Sequence, residues 1–594
     1  MKWVLAETDE GAAAALSERA GLHPLIARLM VTRGIHDPVD AKAFLACELS
    51  SLSDPRIFSG MDRAVARIRG AFAAREKIVI YGDYDVDGVT GASLLFLSLK
   101  SLDSVVECYI PDRISEGYGL NRGAVEKIKA SGAGLIITVD CGVSAVSEAE
   151  LARALGLDLI ITDHHEITGL NSSKGSNSPS LPDAYAILHP ALLEPDVPAE
   201  TRERVSGLTG VGMAFKLVQA LLGAAGSDER LYGYLDLVTL GTVADVGKIT
   251  GENRVLVKHG LDVLSGEGNG QRPGITALRE VAGLNGKKIG VGTVGFSLAP
   301  RINASGRLER ADMAFRLLTT SSHEEAKALA VSLDEVNRER QSVEESIGEE
   351  AKRLCLKEDL AGTGAFVLSS SEWHPGVIGI VASRMVEAFY RPTALICVKN
   401  GVGKGSARSI PGFDLYGGLT KCEDLLLGFG GHKYAAGFTI AEEKIPEFRE
   451  RLSAVVLEAV GPQGFERTLS IDGSVALDAL TIDLIREIDK LAPFGQGNPE
   501  PRLGCRGLEV LSSRIVGNNH LKLRLKGGNG TALDAIAFKR GDLLGKKVRD
   551  GAKLAAVFTP RLNAWSGKTA VELEIRDIKM ETPEGKKVGA QAGR

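Results

Sequence analysis

The chain of 594 residues has few of the features that mark membrane, secreted or disulfide-rich proteins. Its seven cysteines stand singly, without a CxxC pair, which argues against a disulfide framework or a thiolate zinc site and favours a reducing compartment. It has no run of about 18 apolar, uncharged residues. Its first residues, MKWVLAE, bring in an acid where a signal peptide needs an apolar run. We therefore expect a cytoplasmic protein with no membrane partner.

An excess of positive charge is also lacking. The net charge is −5, and the chain is 44% hydrophobic, 25% charged and only 5% aromatic. This is ordinary globular composition, which excludes collagen-like and fully disordered chains. The length predicts several domains, because single cores stop growing at roughly 250–300 residues. The net charge alone speaks against nucleic acid as a partner, but residues 499–550 hold eleven Lys/Arg against five Asp/Glu, a local charge of +6.

Strand-like apolar runs alternate with helical segments after a helical start that extends to about residue 70. Such alternation predicts βαβ units and a mostly parallel sheet. The predicted strands are Lys77–Gly82, Val105–Pro111, Leu135–Asp140, Leu157–Asp163 and Ala184–Pro190.

Further along, a capping box at Ser322 and Glu325 opens a periodic helix to about residue 357, long enough to connect two domains. A second α/β region follows, and from about residue 467 five short strands suit a small β-barrel. Those strands are Thr468–Ile471, Leu508–Val516, Leu521–Leu525, Ala532–Phe538 and Leu554–Phe558. We predict a helical segment over 1–50, a catalytic α/β domain over 51–320, the long helix over 321–358, a smaller α/β domain over 359–464, an OB-like barrel over 465–580 and a disordered tail over 581–594.

Acidic and imidazole side chains follow three of the predicted parallel strands. Asp83, Asp85 and Asp87 alternate after the first, Asp140 ends another, and Asp163-His164-His165 ends a third. Ligands of open α/β sheets bind outside the carboxyl ends of the strands, so these groups should meet. Asp245, after a helical run, is a fourth candidate.

This many carboxylates would repel one another and raise their own pKa values unless cations neutralised them. Mostly oxygen ligands with a few imidazoles suit Mn²⁺ or Mg²⁺, and two such ions can clamp a phosphoryl displacement. The competing interpretation is an acidic loop or a calcium loop. An EF-hand would need a preceding helix and a Glu at position twelve, where this chain has a strand and Leu94.

These motifs together resemble the DHH/DHHA1 phosphoesterase superfamily, and further motifs resemble its bacterial RecJ family of single-strand-specific 5′→3′ exonucleases. The resemblance runs from about residue 50 to 580. The motifs that carry it are DYDVDG at 83–88 with one upstream Gly, TVDCG around Asp140, the Asp-His-His triplet, RINASGR at 301–307, WHPGVIG at 373–379, GSARSIPGFDL at 405–415, GGHKYAAG at 430–437 and PFGQGNPEP at 493–501. His189 stands where family members often have Asn.

The resemblance implies a role for each candidate residue. Asp83, Asp85 and Asp140 would hold one metal ion, and Asp87, Asp140, His164 and Asp245 a second, with Asp140 bridging. His165 would face the scissile phosphate and Asp163 would orient the histidine pair, which makes Asp140, Asp163 and His165 the catalytic set. The substrate-binding set would be Arg113, Ser406 and Arg408 at the 5′-terminal phosphate, with Asn303 and His432 as further contacts.

The predicted function is a metal-dependent exodeoxyribonuclease that releases 5′-mononucleotides from single-stranded DNA in repair and recombination, using two Mn²⁺ or Mg²⁺ ions. The family further implies a monomer that works with a single-strand-binding protein and a helicase. Phe538 and Trp565 are candidates for base stacking on the barrel. One alternative is a DHH phosphodiesterase of short oligonucleotides or cyclic dinucleotides, although such enzymes are shorter and lack the barrel. Another is a non-catalytic replication scaffold, in which we would expect some of the candidate metal-binding carboxylates to be replaced by other residues.

Overall fold

The computed structural model describes residues 1–112, 116–167, 181–223, 225–226, 228–266, 271–306, 312–359, 362–545, 548–565 and 568–581. At Pro462, Gln463 and Trp565 it describes the backbone only. The predicted tail therefore lies outside the described residues except for Glu581. The chain forms two compact units: Leu49–Arg467 is one, and Met1–Glu48 with Thr468–Arg594 is the other.

The first 48 residues contain a strand as well as helices: β1 (Lys2–Leu5), α1 (Glu10–Ala20), α2 (Pro24–Val31) and α3 (Pro38–Ala46). The helical interpretation of this segment is wrong for β1, which pairs in parallel with residues 468–471. Four residues are too few to show a period, and their strand conformation depends on a partner more than 460 residues away.

The first lobe, which we define as residues 49–320, carries the parallel sheet. Its elements are α4 (Met61–Ala73), β2 (Ile78–Gly82), α5 (Val86–Ser101), β3 (Val106–Tyr109), α6 (Arg122–Ala130), β4 (Leu135–Val139), α7 (Val146–Ala154), β5 (Asp158–Thr162), β6 (Ala186–Leu188), α8 (Ala199–Val205), α9 (Gly210–Leu222), α10 (Glu229–Tyr232), α11 (Leu235–Ala244), α12 (Gly251–Ser265), α13 (Pro273–Val281), α14 (Val291–Thr293), α15 (Ala299–Ser305) and α16 (Asp312–Thr319). The strand order is β3-β2-β4-β5-β6, and every pair is parallel. The predicted parallel α/β domain is confirmed.

The long helix α17 spans His323–Cys355, with Ser322 as its N-cap. Its first half buries Leu329 and Leu333, and its second half buries Ile347 and Ala351 in a core that includes residues of the next strands. The helix therefore packs on both lobes, as its apolar spacing predicts. Only half of the predicted capping box forms: Ser322 Oγ accepts from Glu325 N, but the Glu325 carboxylate accepts from Arg316 and Thr320 and not from Ser322 N.

The second lobe, residues 359–467, contains β7 (Phe366–Ser370), α18 (Ile378–Phe389), β8 (Thr393–Lys399), β9 (Val402–Arg408), α19 (Leu415–Thr420), β10 (Leu426–His432), β11 (Ala435–Ala441) and α20 (Ile445–Val460). Its sheet has the order β10-β11-β9-β8-β7, in which only β7 and β8 are parallel. This is the smaller α/β domain expected from the sequence.

The other unit contains β12 (Thr468–Ile471), β13 (Gly473–Ser474), α21 (Ile482–Asp489), β14 (Leu503–Val516), β15 (His520–Lys526), β16 (Ala532–Ala537), β17 (Lys553–Trp565) and β18 (Lys568–Met580). The strands β14-β15-β16-β18-β17 close into a barrel through the β14–β17 pairing. A five-stranded barrel is confirmed, but its membership differs from the prediction, because β12 lies outside it and β18 belongs to it. In β18, Val571, Leu573 and Ile575 are buried and alternate with more exposed polar residues, so the strand has no continuous apolar run.

The helices α1 and α2 share a hydrophobic core with the barrel. Leu16, Ile26 and Met30 belong to the same buried cluster as Leu484 and Leu508. This shared core explains why the first 48 residues and the barrel form one compact unit.

No single helix in the described ranges is long and apolar enough to cross a membrane. Among the helices that the structure describes, only the pair α8 and α9 has the length and composition of a membrane span, and the two helices are bent by 117°.

Candidate metal centre and nucleotide sites

The acidic and imidazole motifs lie at one edge of the parallel sheet because each begins where a strand ends. Asp83 follows β2, Asp140 follows β4 and Asp163 follows β5. Each donates its backbone N–H to the neighbouring strand: Asp83 to Val139 O (3.2 Å), Asp140 to Thr162 O (2.9 Å) and Asp163 to Leu188 O (3.1 Å). The register of the parallel strands thus places the three aspartates side by side at the carboxyl ends of their strands.

The side chains at this edge converge on His164. Its Nε2 lies 3.0 Å from Asp140 Oδ1 and 3.7 Å from both Asp87 Oδ2 and Asp245 Oδ2. Asp245 enters from the C-terminal end of α11. Three overlapping sets of potential metal ligands result, and their donor atoms lie within 4.8 Å of one another in each set: Asp83 with Asp85 and Asp140, Asp87 with His164 and Asp245, and Asp140 with His164 and His165.

Asp87 is held by the amino end of α9, a contact that the sequence motifs do not reveal. Its Oδ2 accepts from Gly210 N (2.7 Å) and its Oδ1 from Val211 N (2.9 Å) and from Thr209 Oγ1 (3.3 Å). A carboxylate has about four lone-pair sites on its two oxygens, so the helix can orient Asp87 without preventing it from binding a cation.

The buried carboxyls favour their protonated forms when no cation is present. Burial, together with the charges of Asp245 and Asp85, holds the pKa of Asp87 well above its usual range. Burial and the neighbouring aspartates do the same to the pKa of Asp140. The pKa of Asp245 is raised to about 7, mainly by burial and by Asp85. Ionised carboxylates at these positions therefore need positive charge beside them.

A divalent metal fits this donor set. Within the described part of the chain, Asp140 Oδ1 and His164 Nε2 are buried and lie 3.0 Å from each other, but neither makes a hydrogen bond of acceptable geometry, although buried polar atoms are normally satisfied. Burial and the nearby His165 lower the pKa of His164 to about 4, so its imidazole is neutral at neutral pH and can donate a lone pair. Carboxylate oxygens with one imidazole are donors that suit Mn²⁺ or Mg²⁺.

Asp163 and His165 form a tight pair beside this cluster. Asp163 Oδ1 lies 2.7 Å from His165 Nδ1 and accepts from His164 N at 2.7 Å, while its Oδ2 accepts from Val143 N at 2.8 Å. Burial opposes ionisation of Asp163, but these hydrogen bonds and the charge of His165 outweigh it and lower its pKa to about 2. Burial likewise disfavours the imidazolium of His165, but the bond to Asp163 outweighs it and raises the pKa of His165 to about 9. The pair is therefore an ionised carboxylate with a charged imidazole.

The backbone of His165 is also held by a hydrogen bond from a second histidine. His189 Nε2 lies 2.8 Å from the His165 backbone oxygen, and His189 Nδ1 accepts from Ala191 N. In the sequence, His189 stands out only as a departure from the family pattern.

Asn303 lies against the acidic loop, where its Oδ1 accepts from Val86 N at 3.2 Å. It lines a cavity of about 330 Å³ together with Asp83, Asp85 and Tyr118. The structure thus brings Asn303 to the metal-ligand cluster. Arg113, the other substrate-binding candidate of this lobe, lies outside the described residues.

Ser406 and Arg408 line a second cavity, of about 240 Å³, in the second lobe. Arg408 Nη1 donates to Ser406 Oγ (3.1 Å) and to Ala407 O (2.8 Å), and burial lowers the pKa of the guanidinium. Among the ion pairs of the described residues, none involves Arg408. A desolvated guanidinium with no carboxylate partner has donors that can bind an anion.

His432 shares a row of the sheet with Arg408. Ala435 of β11 is opposite Arg408 of β9 on one side and opposite His432 of β10 on the other. Directly opposite residues point to the same face of an antiparallel sheet. The exposed His432 is thus on the face of the sheet that carries Ser406 and Arg408.

Three family models match the chain, in the order of its domains. They are the DHH family N-terminal domain over residues 77–242, the DHHA1 domain over 362–458 and the RecJ OB domain over 471–577.

Curated relatives are similar over most of the chain. The single-stranded-DNA-specific exonuclease RecJ of Bacillus subtilis is 38% identical over 584 residues, covering 97% of this chain and 70% of the relative. The Escherichia coli protein of that name is 36% identical over 540 residues, covering 87% and 89%.

Solved structures agree. RecJ of Thermus thermophilus in complex with Mn²⁺ superimposes with a TM-score of 0.79 at 32% identity, covering 98% of this chain and 80% of the other. Its complex with Mg²⁺ gives a TM-score of 0.74 at 31% identity, covering 98% and 79%.

Proposed function

The chain belongs to the RecJ family of single-stranded-DNA-specific exonucleases, and we propose that it degrades single-stranded DNA from the 5′ end and releases 5′-mononucleotides. Membership makes it a metal-dependent nuclease acting on single strands. The polarity, the product, the use of two ions and the role of each residue are the proposal.

The observation that carries the chemistry is the shared edge at which Asp140 Oδ1 and His164 Nε2 are buried and make no hydrogen bond of acceptable geometry in the described chain. We assign Asp83, Asp85 and Asp140 to one divalent ion and Asp87, Asp140, His164 and Asp245 to another. Ions held by these residues would supply positive charge beside the phosphodiester and would acidify a water for its attack.

The residues of the chain supply orientation and charge at the scissile phosphate. Asp163 holds the Nδ1 side of His165, which leaves Nε2 to face a phosphate oxygen. An imidazolium at that point stabilises the negative charge that grows on the phosphoryl oxygens. Asn303, beside Asp85 in the same cavity, is assigned to the sugar-phosphate of the substrate.

We assign the 5′→3′ direction of degradation to the cavity that Ser406 and Arg408 line. A 5′-terminal phosphate held by Arg408 and Ser406 would register the strand so that its first phosphodiester reaches the metal centre. Arg113 and His432 are assigned to the same terminal nucleotide on the family pattern. The barrel is assigned to the rest of the strand, with exposed Phe538, 51% accessible, as a base-stacking side chain; the side chain of Trp565 lies outside the described part.

The proposal is tested with one single-stranded oligonucleotide labelled at either end. With Mn²⁺, the 5′ label should appear at once as mononucleotide, and the 3′-labelled strand should shorten stepwise. Immediate release of the 3′ label would overturn the polarity. Activity confined to dinucleotides or cyclic dinucleotides would favour the small-substrate phosphodiesterase, and no hydrolysis with any divalent ion would favour the scaffold. A cytoplasmic location, a monomeric state and partnership with a single-strand-binding protein and a helicase are included on family grounds alone.

A further inference from the structure

Tyr118 is presented to the metal centre by a loop whose backbone is fixed on both sides of it. Gly117 and Gly119 have φ values of 83° and 82°, a region that favours glycine. Tyr81 Oη donates to the carbonyl of Gly119 at 2.9 Å. The bond from Tyr81 to Gly119 restrains the loop on the C-terminal side of Tyr118.

Glu116 fixes the loop just before Tyr118. Its carboxylate accepts from Asp112 N at 2.9 Å, from Tyr109 Oη at 2.6 Å and from Lys127 Nζ at 3.1 Å. Three donors on one side chain tie the loop to β3 and to α6. Tyr118 nevertheless stays 56% exposed, so packing alone does not explain why it is held.

The hydroxyl of Tyr118 points onto the ring of His165. It lies 3.2 Å from Nδ1 and 3.0 Å from Nε2. No point in the plane of the imidazole meets both distances without overlapping a ring carbon, so the oxygen lies over the ring face. The ring centroids are 5.6 Å apart and the planes meet at 67°, as an end-on approach requires.

His165 is therefore restrained in two directions. Asp163 binds Nδ1 in the ring plane at 2.7 Å, and the hydroxyl of Tyr118 stands on one face. Asp163 does not occupy the in-plane position at Nε2, and the side chain of His165 is 43% exposed. Tyr118 itself also lines the cavity formed with Asp83, Asp85 and Asn303.

We propose that Tyr118 is a positioning residue for hydrolysis, whose hydroxyl fixes the imidazole of His165 so that Nε2 faces the scissile phosphate. The inference rests on the proposed function, since it assigns His165 to that phosphate. It names a contact that neither the acidic motifs nor the histidine motif contains.

The kinetic test compares Tyr118→Phe with Tyr185→Phe on 5′-phosphorylated single-stranded DNA and Mn²⁺. Tyr185 precedes β6 at the opposite edge of the sheet, so its variant controls for loss of any tyrosine hydroxyl in this lobe. Loss of the contact that restrains the ring face predicts a fall in kcat of about three- to tenfold for Tyr118→Phe, within the range of coupling between residues in contact. KM and the Mn²⁺ affinity measured by calorimetry should stay within about twofold, because the hydroxyl is assigned to neither.

A double-mutant cycle decides whether the hydroxyl acts through His165. In a His165→Ala background, measured at high enzyme concentration, Tyr118→Phe should cause no further loss. An equal loss in both backgrounds would show that Tyr118 acts independently of His165 and would overturn the inference. So would a wild-type kcat for Tyr118→Phe, or a change confined to KM.

The interaction has a readout that needs no turnover. NMR spectra of the Mg²⁺-loaded protein with ¹³C-labelled histidine show the rings of ten histidines. The resonance of His165 is identified as the one that disappears in His165→Ala. It should move in Tyr118→Phe and stay in place in Tyr185→Phe. An unmoved resonance in Tyr118→Phe would show that the hydroxyl does not approach the ring.

The two proposals fail in different ways. A wild-type chain that releases no mononucleotide overturns the proposed function, and with it the catalytic use of Tyr118. An active wild type with an unaffected Tyr118→Phe overturns only the inference.

Discussion

Gly210 and Asp140 approach so closely that a Cβ on Gly210 would lie 2.5 Å from the Cβ of Asp140. The same Gly210 donates its N–H to Asp87. One glycine at the start of α9 therefore touches two of the proposed metal ligands, from two different stretches of sequence. Any side chain there must displace one of them.

Gly210→Ala should weaken metal binding without unfolding the lobe. The added methyl pushes Asp140 away from its place beside His164, and disturbing a group that orients a ligand costs about 10- to 100-fold in metal affinity. Calorimetric titration with Mn²⁺ measures this affinity. Gly233→Ala is the control, because a Cβ at Gly233 meets nothing within 4 Å among the described atoms. Equal affinity in both variants would contradict the assignment of Asp140.

Asp140→Asn should abolish hydrolysis more completely than any other single ligand change. Asp140 has a φ of 62°, a conformation that Asn tolerates better than Ala, so the substitution tests charge without added backbone strain. We expect kcat to fall about a hundredfold or more, while binding of long single strands persists. Asp158→Asn, at the opposite end of β5, is the matched control. Near-normal turnover of Asp140→Asn would show that Asp140 does not bridge two ions.

The affinity for Mn²⁺ should rise with pH between 6 and 8. Burial and mutual repulsion raise the pKa values of Asp87, Asp140 and Asp245 in the metal-free protein, so protons compete with the metal for these carboxylates. Protons compete less as the pH passes the pKa of about 7 for Asp245. Calorimetry in two buffers of different ionisation enthalpy gives the number of protons released. Affinity independent of pH, with no proton release, would contradict this electrostatic description.

Arg408→Ala should blunt the preference for a 5′-phosphate over a 5′-hydroxyl end. Removing a charge-assisted hydrogen bond predicts a fall in the ratio of the two rates of about ten- to a hundredfold. Lys421→Ala removes an exposed cation from the same lobe and serves as the control. If the ratio is unchanged in Arg408→Ala, the terminal phosphate is held elsewhere.

Removal of the barrel should spare very short substrates and weaken attack on long strands. Because α1 and α2 share the barrel core, the deletion must take residues 1–48 together with 468–594. Each phosphate that the deletion leaves unneutralised flattens the plot of log affinity against log salt by about 0.7, so about four such phosphates predict a change of roughly 3. Circular dichroism checks the fold of residues 49–467. A folded deletion variant with full affinity and an unchanged slope would place strand binding in that unit.

Much of the metal centre could be predicted from the sequence. Apolar runs of about five residues, each ending in an acid, predict β2, β4 and β5, and in a parallel sheet their carboxyl ends must share an edge. Periodic leucines and the Ser322 cap predict α17. These are local patterns, and each one predicts its own strand or helix without information from the rest of the chain.

The barrel shows where local pattern fails. The sequence predicts five strands and five close the barrel, but β12 pairs with β1 instead and β18 takes its place. The isolated sequence of β18 is rich in charged residues, because one of its faces meets solvent. Only its register against β17 and β16 shows which side chains are buried.

The order of residues establishes the chemical groups that are present and the family to which they belong. The contacts between distant groups follow only from how the helices and loops pack. Gly210 lies 70 residues beyond Asp140, and Tyr118 lies 47 residues before His165, so neither contact has a sequence period. Close packing of α9 against the strand ends, and a loop held by Glu116 and Tyr81, bring these atoms within a few ångströms of each other.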